Sequence, residues 1–144
     1  MLKLIVGKKG TGKTKRIVDL ANASARACDG SVVFIEKERI STYRLSHKIR
    51  LADAAPYSVK TYDELYGFIC GMIVSNYDIK EVYVDAVVRI GGRNMDNLLV
   101  FLTQVSKLAE EKEIDIIMSV SCDKAELPEK LPMIILKGDD INAE

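Results

Sequence analysis

The chain has 144 residues, of which 48% are hydrophobic and 29% charged, a composition typical of a globular protein with one core. Basic and acidic residues balance at 21 each, so a nucleic-acid partner would need a local basic patch because no global positive charge favours it. No apolar run approaches the ~18 residues of a membrane span, and the amino terminus has a core-strand pattern instead of a signal peptide. The three cysteines form no metal-binding pair. We expect one cytoplasmic domain over residues 1–144.

A glycine-rich loop follows the first predicted element. The apolar strand Met1–Val6 leads directly into Gly7-Lys-Lys-Gly-Thr-Gly-Lys-Thr14, and Lys15–Cys28 then has apolar side chains at helical spacing. The loop matches the pattern G-x-x-x-x-G-K-[ST]. Its glycines at positions 7, 10 and 12 allow positive φ angles, so backbone N–H groups can turn inward next to the positive end of the helix dipole. This arrangement predicts a phosphate-binding loop.

The loop also assigns roles to side chains. Lys13 is expected to reach the β- and γ-phosphates and to assist catalysis, and the Thr14 hydroxyl is expected to bind Mg²⁺. The alternative is a chance glycine loop, but its position between a buried strand and an amphipathic helix favours nucleotide binding. The predicted nucleotide-binding residues are Gly7, Lys8, Lys9, Gly10, Thr11, Gly12, Lys13, Thr14 and Lys15.

Further strands and helices alternate along the chain. Strands are predicted at Ser31–Glu36, Glu81–Asp85, Ile114–Ser121 and Met133–Lys137. Helices are predicted from the capping box at Thr61–Glu64 to about Ser75 and over Met95–Glu113. The alternation predicts an α/β fold with a mostly parallel sheet of about five strands and helices on both faces.

The remaining segments have weaker patterns. Lys37–Asp53 is polar and basic, with one or two helical turns possible within Ser41–Lys48. Pro56–Val59 is predicted to be a short extended piece, and Arg89–Asn94 a loop.

Two predicted strands end in an acidic residue. Asp85 follows the apolar run Val82–Val84, a pattern that indicates a carboxylate holding Mg²⁺ through water, and the alternative is an aspartate that caps the next turn. Glu36 ends the second strand and is the candidate to orient an attacking water, with a solvated strand-end glutamate as the alternative. The carboxyl ends of parallel strands bind ligands in α/β sheets, which favours the functional interpretation of both.

Four other residues are candidates near the terminal phosphate. Ser119 and Ser121 end the fourth predicted strand and could sense the γ-phosphate. Arg89 and Arg93 follow the third and could stabilise transition-state charge, in this subunit or on a neighbour's nucleotide. For the two arginines the alternative is an exposed basic loop.

The order of these parts resembles the RecA-like P-loop ATPase core. The residues that carry the resemblance are Gly7–Thr14, Val32–Glu36, Val82–Asp85 and Ile116–Ser121. It implies a three-layer P-loop NTPase sandwich, a further strand between the loop strand and the strand of Asp85, and a catalytic glutamate at Glu36. Two branches look similar: the replicative helicase and circadian-clock ATPases (DnaB- and KaiC-like), and the secretion and pilus-retraction ATPases (PilT-like).

The resemblance implies ATP and Mg²⁺ as ligands and an ATPase that hydrolyses slowly or on assembly, with a second copy or a partner protein. The absence of an Asn-Lys-x-Asp motif favours ATP over GTP. Ala86 stands where many related ATPases have a glutamate. A second hypothesis is a thymidine-kinase-like nucleoside or nucleotide kinase with Arg39–Arg50 as a phosphate lid. A third is a nucleotide-dependent binding or scaffold module without significant turnover.

Overall fold

Apolar runs rich in Val and Ile form the strands, and segments with apolar side chains every three to four residues form the helices. The computed structural model describes residues 1–37, 45–128 and 134–136. The strands are β1 Leu2–Gly7, β2 Ser31–Glu36, β3 Ile49–Asp53, β4 Ile79–Val84, β5 Asp115–Ser121 and β6 Ile134–Ile135. The helices are α1 Lys13–Ala27, α2 Tyr62–Ser75, α3 Val87–Gly91 and α4 Met95–Lys112.

The strands form one six-stranded sheet in the order β3-β2-β4-β5-β1-β6. Every neighbouring pair is parallel, so the carboxyl ends of all the strands lie along one edge. β5 lies between β1 and β4, and it therefore separates the strand that precedes the glycine-rich loop from the strand that precedes Asp85. The predicted α/β class and the parallel sheet are confirmed.

Helices cover both faces of the sheet because successive strand residues point to opposite sides. One core cluster packs against α1 and takes its strand residues from alternate positions, which include Ile5, Phe34, Tyr83 and Ile117. The intervening positions face α2, α3 and α4 in a second, larger cluster, and they include Leu4, Ile35, Val84 and Met118. The sheet therefore has a helical layer on each face.

The start of α2 confirms the predicted capping box. The Thr61 side chain accepts a hydrogen bond from the Glu64 backbone N–H at 3.1 Å, and the Glu64 carboxylate accepts one from the Lys60 N–H at 3.0 Å. The first bond satisfies one of the donors that a helix start otherwise leaves without a partner, and the second joins the residue before the cap to the first turn. Since α2 follows β3, its amino terminus lies toward the carboxyl edge of the sheet, as the glycine-rich loop does.

Several predicted segments differ from the structure. β3 was not predicted, because it is an edge strand whose Arg50 and Leu51 are exposed, and it therefore lacks the continuous apolar run of the central strands. The extended piece at Pro56–Val59 is wrong, since Ala55–Tyr57 forms a 3₁₀ turn. The predicted loop at Arg89–Asn94 is also wrong in its first part, which belongs to α3.

The basic segment between β2 and β3 is described only in part. Residues 38–44, which include Arg39 and the first half of the Ser41–Lys48 prediction, lie outside the described residues. Residues 45–48 contain a turn and no helix. Among the described residues, no helix combines the length and apolarity that crossing a membrane requires.

The packing between α2 and α4 gives a stability prediction. The Phe101 side chain is 1% exposed and its ring lies 5.1 Å from that of Tyr62, whereas its neighbour Val100 is 59% exposed. We expect Phe101→Ala to lower the free energy of unfolding by about 3–5 kcal/mol, because it removes a buried ring and leaves a cavity. Val100→Ala is the matched control, with an expected change within ~0.5 kcal/mol. Urea denaturation measures both, and equal effects would contradict the packing described.

Candidate functional site

The glycine-rich loop turns tightly between β1 and α1. Gly10 and Gly12 have φ angles of +86° and +81°, a backbone region that residues with a Cβ adopt only at a cost. Gly7 is not in this region, so the expectation of a positive φ at all three glycines is wrong for Gly7. A glycine is needed at position 7 because of limited space, since a Cβ there would lie 2.7 Å from Thr11 Oγ1. That hydroxyl donates to the Lys8 carbonyl at 2.7 Å and thereby closes the loop.

The amino terminus of α1 follows this loop, and its first turn contains no acidic side chain that could compete with a bound anion. Among the described residues, no side chain caps it and no carboxylate lies in its first turn. The first backbone bond of the helix runs from Arg16 N–H to the Gly12 carbonyl at 3.2 Å. The positive end of the helix dipole therefore lies at the loop and favours an anion there.

Lys13 lies at the start of α1 and is only 7% exposed. Its Nζ donates to the Lys8 carbonyl at 2.7 Å and to Thr11 Oγ1 at 3.4 Å, which are both uncharged acceptors. Burial lowers the pKa of Lys13, while the nearby Asp85 and Cys122 oppose this shift by favouring the charged form. A phosphate oxygen would give this buried amine the charged acceptor that the loop carbonyl cannot provide.

Asp85 connects the loop helix to two other parts of the site. Thr14 Oγ1 donates to its Oδ2 at 3.0 Å, and Ser119 Oγ donates to its Oδ1 at 2.5 Å. The Ser119 hydroxyl also accepts from the Ala86 backbone N–H at 2.6 Å. Asp85 is 4% exposed and Ser119 is 1% exposed, so this hydrogen-bond network is buried. It fixes the carboxylate beside the Thr14 hydroxyl.

Strand alternation explains why these residues meet. Glu36 and Asp85 follow Phe34 and Tyr83 by two positions, and Phe34 and Tyr83 stack on the α1 face of the sheet with ring centroids 6.4 Å apart. The Asp85 N–H donates to the Ile35 carbonyl at 3.0 Å and brings the ends of β2 and β4 together. The acids at both strand ends therefore share the face that carries Thr14.

Ser119 and Ser121 follow the same rule on β5. They lie two and four positions after Ile117, which packs against α1. In the sheet register Ser121 pairs with Gly7, at the point where β1 enters the loop. Both serines therefore lie on the face of the sheet that packs against α1, near the glycine-rich loop.

A cavity of ≈ 390 Å³ opens where these elements meet. This volume lies within the range of small-molecule sites. Its lining residues are Lys9, Gly10, Gly12, Lys13, Thr14, Asp85, Ala86, Arg89, Ser119 and Ser121. Of the predicted side chains near the terminal phosphate, Glu36 and Arg93 are not in this lining. Glu36 lies at the end of β2, on the far side of β4 from β5.

Two contributions to the site could not be found from a motif. The Ala86 N–H holds Ser119, and Ala86 has φ +56° and ψ +56°, so the chain turns sharply between Asp85 and α3. An alanine in an apolar segment gives no signal for this conformation. Cys122 lies near Lys13, and burial together with nearby acids raises its pKa. A lone cysteine also gives no sequence signal.

The arrangement fits a magnesium ion of the kind that accompanies nucleotides. Among the described residues, no group of three or more His, Cys, Asp or Glu side chains could hold a metal ion. Magnesium at phosphates needs no such group, since it keeps several waters and takes only one or two protein ligands. The Thr14 hydroxyl and the Asp85 carboxylate, 3.0 Å apart, are oxygen ligands of this type.

Comparison with known proteins gives no family for the chain. No protein-family model matches it, and no curated protein matches its sequence.

The buried Ser119 hydroxyl gives a prediction for the site. We expect Ser119→Ala to lower the free energy of unfolding by about 1–3 kcal/mol, because it leaves the Ala86 N–H and one Asp85 oxygen without a partner. Ser121→Ala is the matched stability control on the same strand. Ser121 is partly exposed, and we expect a change within ~0.5 kcal/mol. Chemical denaturation compares the two, and similar values would contradict a special role for Ser119.

Proposed function

We propose that this chain is a P-loop NTPase of RecA-like type that binds ATP with Mg²⁺ and hydrolyses it slowly or on assembly. The observation that carries the proposal is the 3.0 Å hydrogen bond between Thr14 and Asp85 beside the buried Lys13. These residues come from the loop helix and the end of β4, two strands away from β1 in the sheet. A phosphate cradle and an oxygen site for magnesium are thus combined in one cavity.

The strand order supports the same proposal. β5 lies between β1 and β4, as the RecA-like resemblance implies, and β2 lies on the other side of β4. The carboxyl ends of these parallel strands form the edge at which α/β sheets bind ligands. The glycine-rich loop, Asp85 and Glu36 all lie at this edge.

Each residue has a distinct role in the proposed site. The loop N–H groups and Lys13 bind the phosphate chain, with the lysine near the β- and γ-phosphates. The Thr14 hydroxyl and the Asp85 carboxylate would hold Mg²⁺. When bound, the ion would neutralise charge that develops between the β- and γ-phosphates. Ser119 holds Asp85 in position through its hydrogen bond. Ser121 is more exposed to solvent than Ser119.

Glu36 is the proposed residue for orienting water, and its position also supports an alternative. It shares the α1 face with Asp85, which favours the proposed role. Among the described residues that line the cavity, however, Asp85 is the one carboxylate. This observation favours the binding or scaffold module as the second candidate function, because hydrolysis needs a residue that positions the nucleophile.

Nucleotide binding is tested by removing the buried amine. We expect Lys13→Ala to weaken ATP binding about 100-fold, because a charged hydrogen-bond donor to the phosphates is lost. Lys107→Ala is the control, since Lys107 is exposed on α4, across the sheet from α1. Isothermal titration calorimetry with ATP and Mg²⁺ measures both variants. Equal affinities for Lys13→Ala and the parent protein would contradict the proposed function.

Turnover is tested at the carboxylate of Glu36. We expect Glu36→Gln to retain ATP binding and to lower phosphate release about 100-fold, as expected on loss of a general base. Asp53→Asn is the matched control, because Asp53 ends β3 directly opposite Glu36 in the register. Unchanged hydrolysis in the Glu36 variant would refute the assigned role. Binding without phosphate release in the parent would favour the scaffold module, and phosphate transfer to an added nucleoside would favour the kinase.

A further inference from the structure

The arginine on α3 gives an inference that rests on the proposed function. We propose that Arg89 binds the terminal phosphate of the nucleotide held by its own chain, so that the site prefers a triphosphate to a diphosphate. The sequence leaves Arg89 and Arg93 equivalent and leaves open whether they act on this chain or on a neighbour. The structure separates them, because Arg89 lines the phosphate cavity and Arg93 does not.

The placement of Arg89 follows from the geometry of α3. The Arg89 N–H donates to the Ala86 carbonyl at 3.0 Å, so the two residues lie one helical turn apart on the same face. Both line the cavity. The core-facing residues of α3 are Val87, Val88 and Ile90, all of which are buried. Because these three side chains face the core, the remaining side of α3, which carries Arg89, faces the cavity.

Both ends of α3 are attached to neighbouring elements. At its start, the Ala86 N–H donates to Ser119 Oγ on β5 at 2.6 Å. At its end, the Tyr62 hydroxyl donates to the Gly92 carbonyl at 2.5 Å and connects it to α2. The backbone that carries Arg89 is thus held on both sides, which lowers the entropic cost of presenting its guanidinium to a ligand.

Arg93 lies beyond the end of this helix. Gly92 has φ +95°, and the chain leaves the helical path there before α4 begins at Met95. Arg93 is exposed and is not among the cavity-lining residues. It is therefore a matched control with the same chemistry only four positions away.

The charges around the cavity explain the expected preference. The described lining contains the cations Lys9, Lys13 and Arg89 and the single carboxylate Asp85. In the proposed site, Lys13 and the loop would bind the β-phosphate, which a diphosphate and a triphosphate share. Arg89 lines the same cavity from α3, which begins two residues after Asp85, and in the proposed site the additional phosphate of a triphosphate would lie beside Asp85 and its metal ion. A guanidinium can bind a phosphate through two parallel hydrogen bonds, which favours it over lysine in this role.

The test compares two nucleotides in calorimetric titrations with Mg²⁺. The probes are ADP and a non-hydrolysable ATP analogue, and the proteins are the parent, Arg89→Ala, Arg89→Lys and Arg93→Ala. We expect Arg89→Ala to weaken binding of the ATP analogue about tenfold or more and binding of ADP less than about threefold. Arg89→Lys should be intermediate, because it keeps the charge but loses the second hydrogen bond. Arg93→Ala should bind both nucleotides like the parent.

Other outcomes would overturn the inference. Equal weakening of both nucleotides, no change in Arg89→Ala, or the same effect in Arg93→Ala would exclude this role for Arg89. If an excess of Lys13→Ala protein restores analogue binding to Arg89→Ala, the arginine acts on a neighbour and not within its own chain. If the parent binds neither nucleotide, or Lys13→Ala binds both as well as the parent, the proposed function itself fails. Thermal melting confirms that each variant is folded.

Discussion

The site depends on the buried carboxylate of Asp85. Burying a carboxylate is unfavourable unless its oxygens are hydrogen bonded, and here Thr14 satisfies one oxygen and Ser119 the other. Thr14 belongs to α1 and Ser119 to β5, so these bonds form only when the loop helix and two strands are in their final positions. The same carboxylate that fits a hydrated metal ion thus also fixes the relative positions of the elements around the cavity.

Strand alternation limits which residues can take part in this network. At the carboxyl edge of a parallel sheet, every second residue faces α1, and that set contains Asp85, Ser119 and Glu36. A shift of one residue in the register of β4 or β5 would turn these polar groups toward α2 and α4 and bury them in the larger apolar cluster. The apolar pattern of the strands therefore determines which face the polar residues at their ends occupy.

The sequence predicted the elements whose signals are local. The glycine-rich loop between β1 and α1, the capping box at Thr61 and the central strands all have short-range patterns, and the structure contains each of them. The edge strand β3 has one neighbouring strand and partly exposed side chains, so its pattern is weak. α3 is only five residues long and begins at Ala86 with a left-handed backbone, which depends on the Ser119 hydroxyl of a distant strand. No local pattern encodes that contact. The position of Arg89 at the cavity depends on it and could not be predicted from the sequence either.

Phosphate binding and turnover place different demands on this chain. The groups proposed to bind phosphate and metal are already fixed, because Lys13, Thr14 and Asp85 are held by hydrogen bonds in the described residues. The group proposed for turnover, Glu36, ends a strand outside the cavity lining, and Ala86 leaves no carboxylate directly after Asp85. In the proposed site, a nucleotide would therefore be bound by the single chain before any residue orients water for attack. Hydrolysis that is slow in isolation and faster on assembly is the behaviour expected of such a division.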